Sequence, residues 1–137
     1  MSHELTGPPS LIHAFSLGQA IPASVLTDVQ WQSPGLAVVG SNITQVSPTE
    51  WRLEGGHEYA LFADLYMSTG PLGSMNLRWV DGAGAAIDLL PPIKPVSAYM
   101  SAYGLVRPAV AQIVKLQIFS TIATDPLQRS IIQIREQ

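Results

Sequence analysis

Eleven prolines and eleven glycines divide a chain of 137 residues into runs of roughly ten residues or fewer. Proline inside a helix removes a hydrogen bond and clashes with the preceding turn, and glycine there costs stability, so long helices have no room. Short strands joined by turns do fit. The spacing therefore predicts an all-β sandwich of antiparallel strands rather than a helical bundle.

Alternation of side chains supplies the strands themselves. Residues 59–67 are the clearest: Tyr59, Leu61, Ala63, Leu65 and Met67 fall on one face, and Ala60, Phe62, Asp64 and Tyr66 on the other. Residues 75–80 place Met75, Leu77 and Trp79 inward, and residues 110–120 set Val114, Leu116 and Ile118 against Lys115, Gln117 and Phe119. At the end of the chain, residues 130–135 set Ile132 and Ile134 opposite Ile131, Gln133 and Arg135. Weaker candidates are 25–31 with Val25, Val29 and Trp31 on one face, 36–39, 42–46, 51–53 and 85–90. Residues 11–19 carry a helical turn or two, limited by Gly18 and Pro22. Residues 90–95, Leu-Pro-Pro-Ile-Lys-Pro, form a stiff extended loop, and residues 1–10 an extended arm that Pro8 and Pro9 keep out of any central strand. Residues 11–137 make up the sandwich, so the chain is one domain.

Charged residues make up 12% of the sequence, against about 25% in ordinary soluble domains, while hydrophobic residues make up 47%. An isolated domain has to cover itself with solvated groups, and this one has few. No stretch reaches ~18 uninterrupted apolar residues, because Asp64, Asp88 and the Pro91–Pro92 pair interrupt the candidates, so no transmembrane helix is expected. The first residues lack the basic and apolar regions of a signal peptide. What remains is a subunit that hides apolar surface in an assembly.

Several chemistries find no support. A net charge of −3, with Arg52, Arg78, Lys94, Arg107, Lys115, Arg129 and Arg135 spread thinly, offers no basic face for nucleic acid. Without cysteine there is no thiol nucleophile or cysteine–zinc site, and His3, His13 and His57 stand too far apart to form a ligand-spaced pair. Residues 81–87, Asp-Gly-Ala-Gly-Ala-Ala-Ile, lack the third glycine and the helix of a dinucleotide-binding turn and read as a hairpin. Residues 70–74 lack the serine centred between two glycines of a nucleophile turn. Asp64 and Asp28 fall on the outer faces of their strands, and His57 in a polar turn. Asn42-Ile43-Thr44 matches a glycosylation sequon by chance. No catalytic residue, metal or cofactor is expected.

The stretch Trp51-Arg52-Leu53-Glu54-Gly55-Gly56-His57-Glu58-Tyr59-Ala60-Leu61-Phe62-Ala63-Asp64-Leu65-Tyr66 resembles the C1q/tumour-necrosis-factor-like domains, where a short strand, a glycine turn, a tyrosine and an alternating strand recur in this order. Residues 75–80, 110–120 and 130–135 extend the resemblance over about three-quarters of the chain. It implies an antiparallel jelly-roll β-sandwich. Within that group the small, cysteine-free, arm-bearing chain is similar to the jelly-roll decoration, or cement, proteins of tailed-bacteriophage capsids, which sit as small oligomers on the outer capsid lattice. The resemblance implies a virion structural protein on the outer capsid surface, assembled in the host cytoplasm. Its partners would be the major capsid protein lattice and itself, as a dimer or trimer, with no direct nucleic acid and no membrane. The alternative it implies is a C1q-like oligomeric module that recognises a receptor or a carbohydrate.

Candidate contact residues are Leu5, Pro8 and Pro9 in the arm and Pro91, Pro92, Ile93 and Pro95 in the loop, followed by Tyr99 and Tyr103. A proline-stiffened loop loses little entropy on docking, and tyrosine and methionine (Met100) are enriched in interface cores. Capping one end of the sandwich is the other use these aromatics could have.

Overall fold

Two sheets of antiparallel strands face each other across one apolar core in a computed structural model that describes residues 9–16, 18–32, 39–66, 75–87, 99–121, 123 and 126–137. The first sheet runs β1 (Leu11–Phe15), β9 (Ile131–Glu136), β5 (Tyr59–Tyr66), β7 (Tyr99–Val106). The second is centred on β8 (Gln112–Ser120). One edge of β8 is taken by β6 (Met75–Asp81), from the Met75–Ser120 pair to the Asp81–Val114 pair. The short β2 (Thr27–Asp28) and β4 (Trp51–Leu53) share its other edge end to end, and β3 (Ile43–Gln45) extends the sheet beyond β4. No helix occurs among the described residues. The architecture is an all-β jelly-roll sandwich.

Alternation puts whole cross-strand rows into the core. In the first sheet Ile12, Ile134, Leu61 and Gly104 form one inward row, and Ala14, Ile132, Ala63 and Ala102 the next. From the second sheet come Trp51, Leu53, Leu77, Trp79, Val114, Leu116 and Ile118, none more than 1% exposed. Leu61, Leu65, Leu77, Trp79, Leu116 and Ile134 all lie in the core, as their alternation predicts. The core combines the small Ala63, Ala102 and Gly104 with the large indoles of Trp31, Trp51 and Trp79, a mixture of sizes that lets side chains pack closely.

Three segments differ from the sequence expectation. The helical turns expected in 11–19 are strand β1, whose Ile12 and Ala14 pair with β9, and Gly18 at φ 75 turns the chain where a helix would continue. Val25 is exposed rather than inward, because Ser24 at φ 58 puts it in a bend before β2, while Val29 and Trp31 are buried. Residues 99–106, for which the sequence pattern predicts no strand, form the eight-residue β7, which carries Tyr99 and Tyr103. Of the strand expected at 36–39, Val39 pairs with Leu11, and of that at 85–90, Ala86 pairs with Val80. Residues 36–38 and 88–90, with Met67 and the proline loop 90–95, lie outside the described residues, while Ala85 and Ile87 are described and belong to no strand.

Candidate interface: the outer face of the four-stranded sheet

The outward positions of the first sheet fall into three rows four strands wide. The first is Leu11, Arg135, Ala60 and Leu105. Next come His13, Gln133, Phe62 and Tyr103, then Phe15, Ile131, Asp64 and Ser101. Phe15 is 53% exposed, Tyr103 56% and Leu105 45%. Phe62 and Tyr103 sit side by side at the centre, their rings 5.0 Å apart, beside a shallow groove of about 380 Å³ shared with Gln133, Arg135 and Gln137. Asp64 and Arg135 are the only carboxylate and guanidinium in these rows. Asp64 accepts a hydrogen bond from Ser101 Oγ at 3.0 Å. At the rim, where β5 begins, Glu58 pairs with Arg107. An apolar centre with a paired, charged rim is the layout of a protein interface.

The outer face of the second sheet is different in kind. Arg52, Arg78, Thr44, Lys115, Gln117 and Asp28 alternate with the buried residues of their strands. Asp28 on β2 accepts from Lys115 Nζ at 2.8 Å and from Gln117 Nε2 at 2.9 Å, closing β2 onto β8 with a largely sheltered ion pair. This face carries most of its charge on Arg52, Arg78 and the Asp28–Lys115 pair. The outer face of the second sheet also carries Ile113 and Phe119, so the two faces differ chiefly in how much charge they hold.

A second polar cluster lies where the chain enters β1. Glu136, near the end of β9, accepts at Oε1 from the Ser10 N–H at 2.9 Å and from Asn42 Nδ2 at 3.1 Å, and meets His57 Nδ1 at 2.9 Å through Oε2. Ser10 also accepts the Glu136 N–H and, through Oγ, the Asn42 N–H. Burial opposes a charge on Glu136, but the Ser10 and Asn42 donors and the His57 charge outweigh it and hold the carboxyl below its ordinary value. Beside it, burial pushes the Tyr59 hydroxyl up to about 12, with the Glu136 and Glu54 charges adding to the rise, while the hydroxyl donates to the Glu54 carbonyl at 2.7 Å. Ser10 is 2% exposed, so the arm's last residue is built into the sandwich. The sequon nitrogen of Asn42 is engaged here.

Of the expected contact residues, Tyr103 lies at the centre of the apolar face, Tyr99 begins the same strand, and Pro9 is exposed. Leu5, Pro8, Pro91, Pro92, Ile93 and Pro95 lie outside the described residues. Leu11, Phe15, Phe62, Leu105 and Ile131 were missed. Their signal was present in the sequence as apolar residues on both sides of an alternating strand. Among the described residues no three His, Asp or Glu side chains converge as metal ligands would, and no helix is long and apolar enough to cross a membrane.

No protein-family model matches the chain, and no curated protein sequence matches it. Solved structures do. The chain is similar to the PRD1 vertex protein P5, with a TM-score of 0.68 and 17% identity over 95% of this chain and 99% of the other. It is similar to murine APRIL, with a TM-score of 0.59 and 15% identity over 95% and 100% of the two chains. It also resembles the Eiger TNF of S. frugiperda, at 0.50 and 13% over 96% and 94%. At such identities the likeness is one of fold, and the fold is the TNF/C1q-like jelly roll.

Proposed function

We propose that the chain is a non-catalytic structural subunit that associates with copies of itself through the outer face of its four-stranded sheet. The observation that carries this reading is the contrast between the two outer faces, one exposed and apolar around Phe62 and Tyr103, the other closed by the Asp28–Lys115 pair. Exposed apolar patches of that kind mark interaction sites. The more specific reading is a capsid decoration protein that stabilises a virion shell from its outer surface, in contact with the major capsid protein lattice. The low charge and the likeness to a vertex protein support it. The test has two parts. Sedimentation equilibrium of the purified chain is expected to give an oligomer at micromolar concentration, and a monomer throughout would refute self-association. Co-sedimentation with shells lacking the protein is expected to raise their rupture temperature. No binding and no change would refute the decoration role.

Likeness to APRIL and to the Eiger TNF supports a second reading, an oligomeric module that binds a receptor or a carbohydrate. Saturable binding to cell surfaces or glycans, with none to shells, would favour it.

A further inference from the structure

We infer that His13 makes the association of this face sensitive to pH, permitting it while the ring is neutral and opposing it in mild acid. The inference rests on the self-association proposed above. His13 stands in the middle outward row, opposite Gln133 on β9. Its Nε2 has almost no contact with solvent and no hydrogen-bond partner among the described residues. A neutral imidazole with its proton on Nδ1 leaves Nε2 bare, and that tautomer suits a site without an acceptor. A second proton would create an N–H with nothing to receive it and place a charge among apolar groups, both of which are costly.

The charges around the ring bring little relief. On β1 itself the outward neighbours Leu11 and Phe15 are apolar. Arg135, the next outward residue of β9, lies opposite Leu11 and would repel an imidazolium. On β5 the same row holds Phe62, and on β7 Tyr103. Asp64 is two strands away and one row further, ~10 Å or more at ordinary strand spacing, and accepts from Ser101. Against the other edge of β1 come Val39, opposite Leu11, and Trp31, opposite Ser16, neither of which ionises. Glu136, at the start of the strand, is engaged with Ser10, Asn42 and His57.

Association presses the same way, whichever axis relates the copies. Phe15 is 53% exposed and its ring lies 5.4 Å from that of His13, so a copy that covers Phe15 covers His13 as well. The covered ring loses its remaining contact with water, a loss that falls mainly on the charged form. The assembly therefore selects neutral His13, and acid draws the copies apart by protonating the ring once they separate.

Sedimentation of the wild type at about pH 8 and about pH 5.5 tests this, because histidine ordinarily changes charge in that range while carboxylates stay ionised. At the lower value, roughly one unit below the ordinary histidine range, keeping a ring neutral is expected to weaken association about tenfold for each copy. His13→Gln is expected to associate equally at both, whereas His3→Gln and His57→Gln keep the wild-type loss. Circular dichroism reports whether each variant is folded at both. Should His13→Gln not fold, the wild-type imidazole resonances, assigned with the other two variants, carry the test: the His13 ring is expected to take its proton at lower pH in concentrated than in dilute samples. A wild-type monomer at every pH would overturn the self-association reading and the switch with it. An oligomer whose association is unchanged or strengthened in acid, whose loss survives in His13→Gln, or whose His13 resonance titrates alike at both concentrations would overturn the switch alone.

Discussion

His57 Nδ1 lies 2.9 Å from Glu136 Oε2, and through that carboxylate the turn before β5 is tied to the residue before β1 and to the segment before β3. Four stretches far apart in sequence meet on one side chain. Because hydrogen bonds and the His57 charge keep Glu136 ionised below its ordinary value of 4.5, its contribution to stability is present above that value. It is lost as the pH falls through the lower folded-state value. Glu136→Gln is expected to cost about 1–3 kcal/mol at neutral pH, the scale of a buried group left poorly matched. Urea unfolding followed from neutral to acid pH is expected to show a steeper loss in wild type than in the variant; parallel curves would contradict the role.

Tyr59 gives the alkaline counterpart. Its hydroxyl is held to about 12, so the folded state keeps the proton more tightly than the unfolded chain does. The associated stability is complete below about 10 and disappears as the pH rises through about 12. Phenolate absorbance is expected to show one tyrosine titrating last, and Tyr59→Phe to remove that step. Loss of the bond to the Glu54 carbonyl should cost about 0.5–1.5 kcal/mol.

Leu65 is fully buried in the core, so Leu65→Ala is expected to cost about 2–5 kcal/mol in urea unfolding. Leu105, 45% exposed on the apolar face, provides the contrast. Leu105→Ser should leave monomer stability within about 0.5 kcal/mol and weaken association instead. Equal effects on unfolding from the two would contradict the assignment of faces.

Most strands legible in the sequence have one polar and one apolar side; β5 was legible from the length of its inward alternation, although Ala60, Phe62 and Tyr66 share its outer face with Asp64. In β8, Lys115 and Gln117 alternate with Val114, Leu116 and Ile118, and in β9, Gln133 and Arg135 alternate with Ile132 and Ile134. β1 and β7 escaped because their outer faces are apolar too. Leu11 and Phe15 flank Ile12 and Ala14, and Tyr103 and Leu105 lie between Ala102 and Val106, so a period of two leaves little contrast to read. On the self-association proposed above, that failure has a physical meaning: a strand apolar on both sides at the surface of the sandwich is one that a second copy would cover. The cluster at Glu136 was illegible for another reason, since tertiary pairing alone brings residues 10, 42, 57 and 136 together.

The arm is where this matters most for experiment. From sequence, removing residues 1–10 should spare the fold, because termini outside a sheet add little to its stability. Ser10, however, is 2% exposed and exchanges backbone hydrogen bonds with Glu136, accepting at 2.8 Å and donating to its carboxylate at 2.9 Å. Gly40, at φ 75, packs so tightly on it that a Cβ there would overlap Ser10 Oγ. Deleting residues 1–10 leaves the Glu136 carboxylate short of a donor and its N–H without an acceptor, each a loss of about 1–3 kcal/mol when the group stays sheltered. The truncated chain is therefore expected to unfold at clearly lower urea than full-length protein, with an unchanged denaturant slope. Gly40→Ala should destabilise in the same direction through strain and overlap with Ser10. Combining the truncation with Gly40→Ala separates the two effects. Once Ser10 is gone the added methyl meets no overlap there, so the second change should cost less in the truncated chain than in the full-length one. Equal costs in both backgrounds would mean that Ser10 is not what Gly40 accommodates.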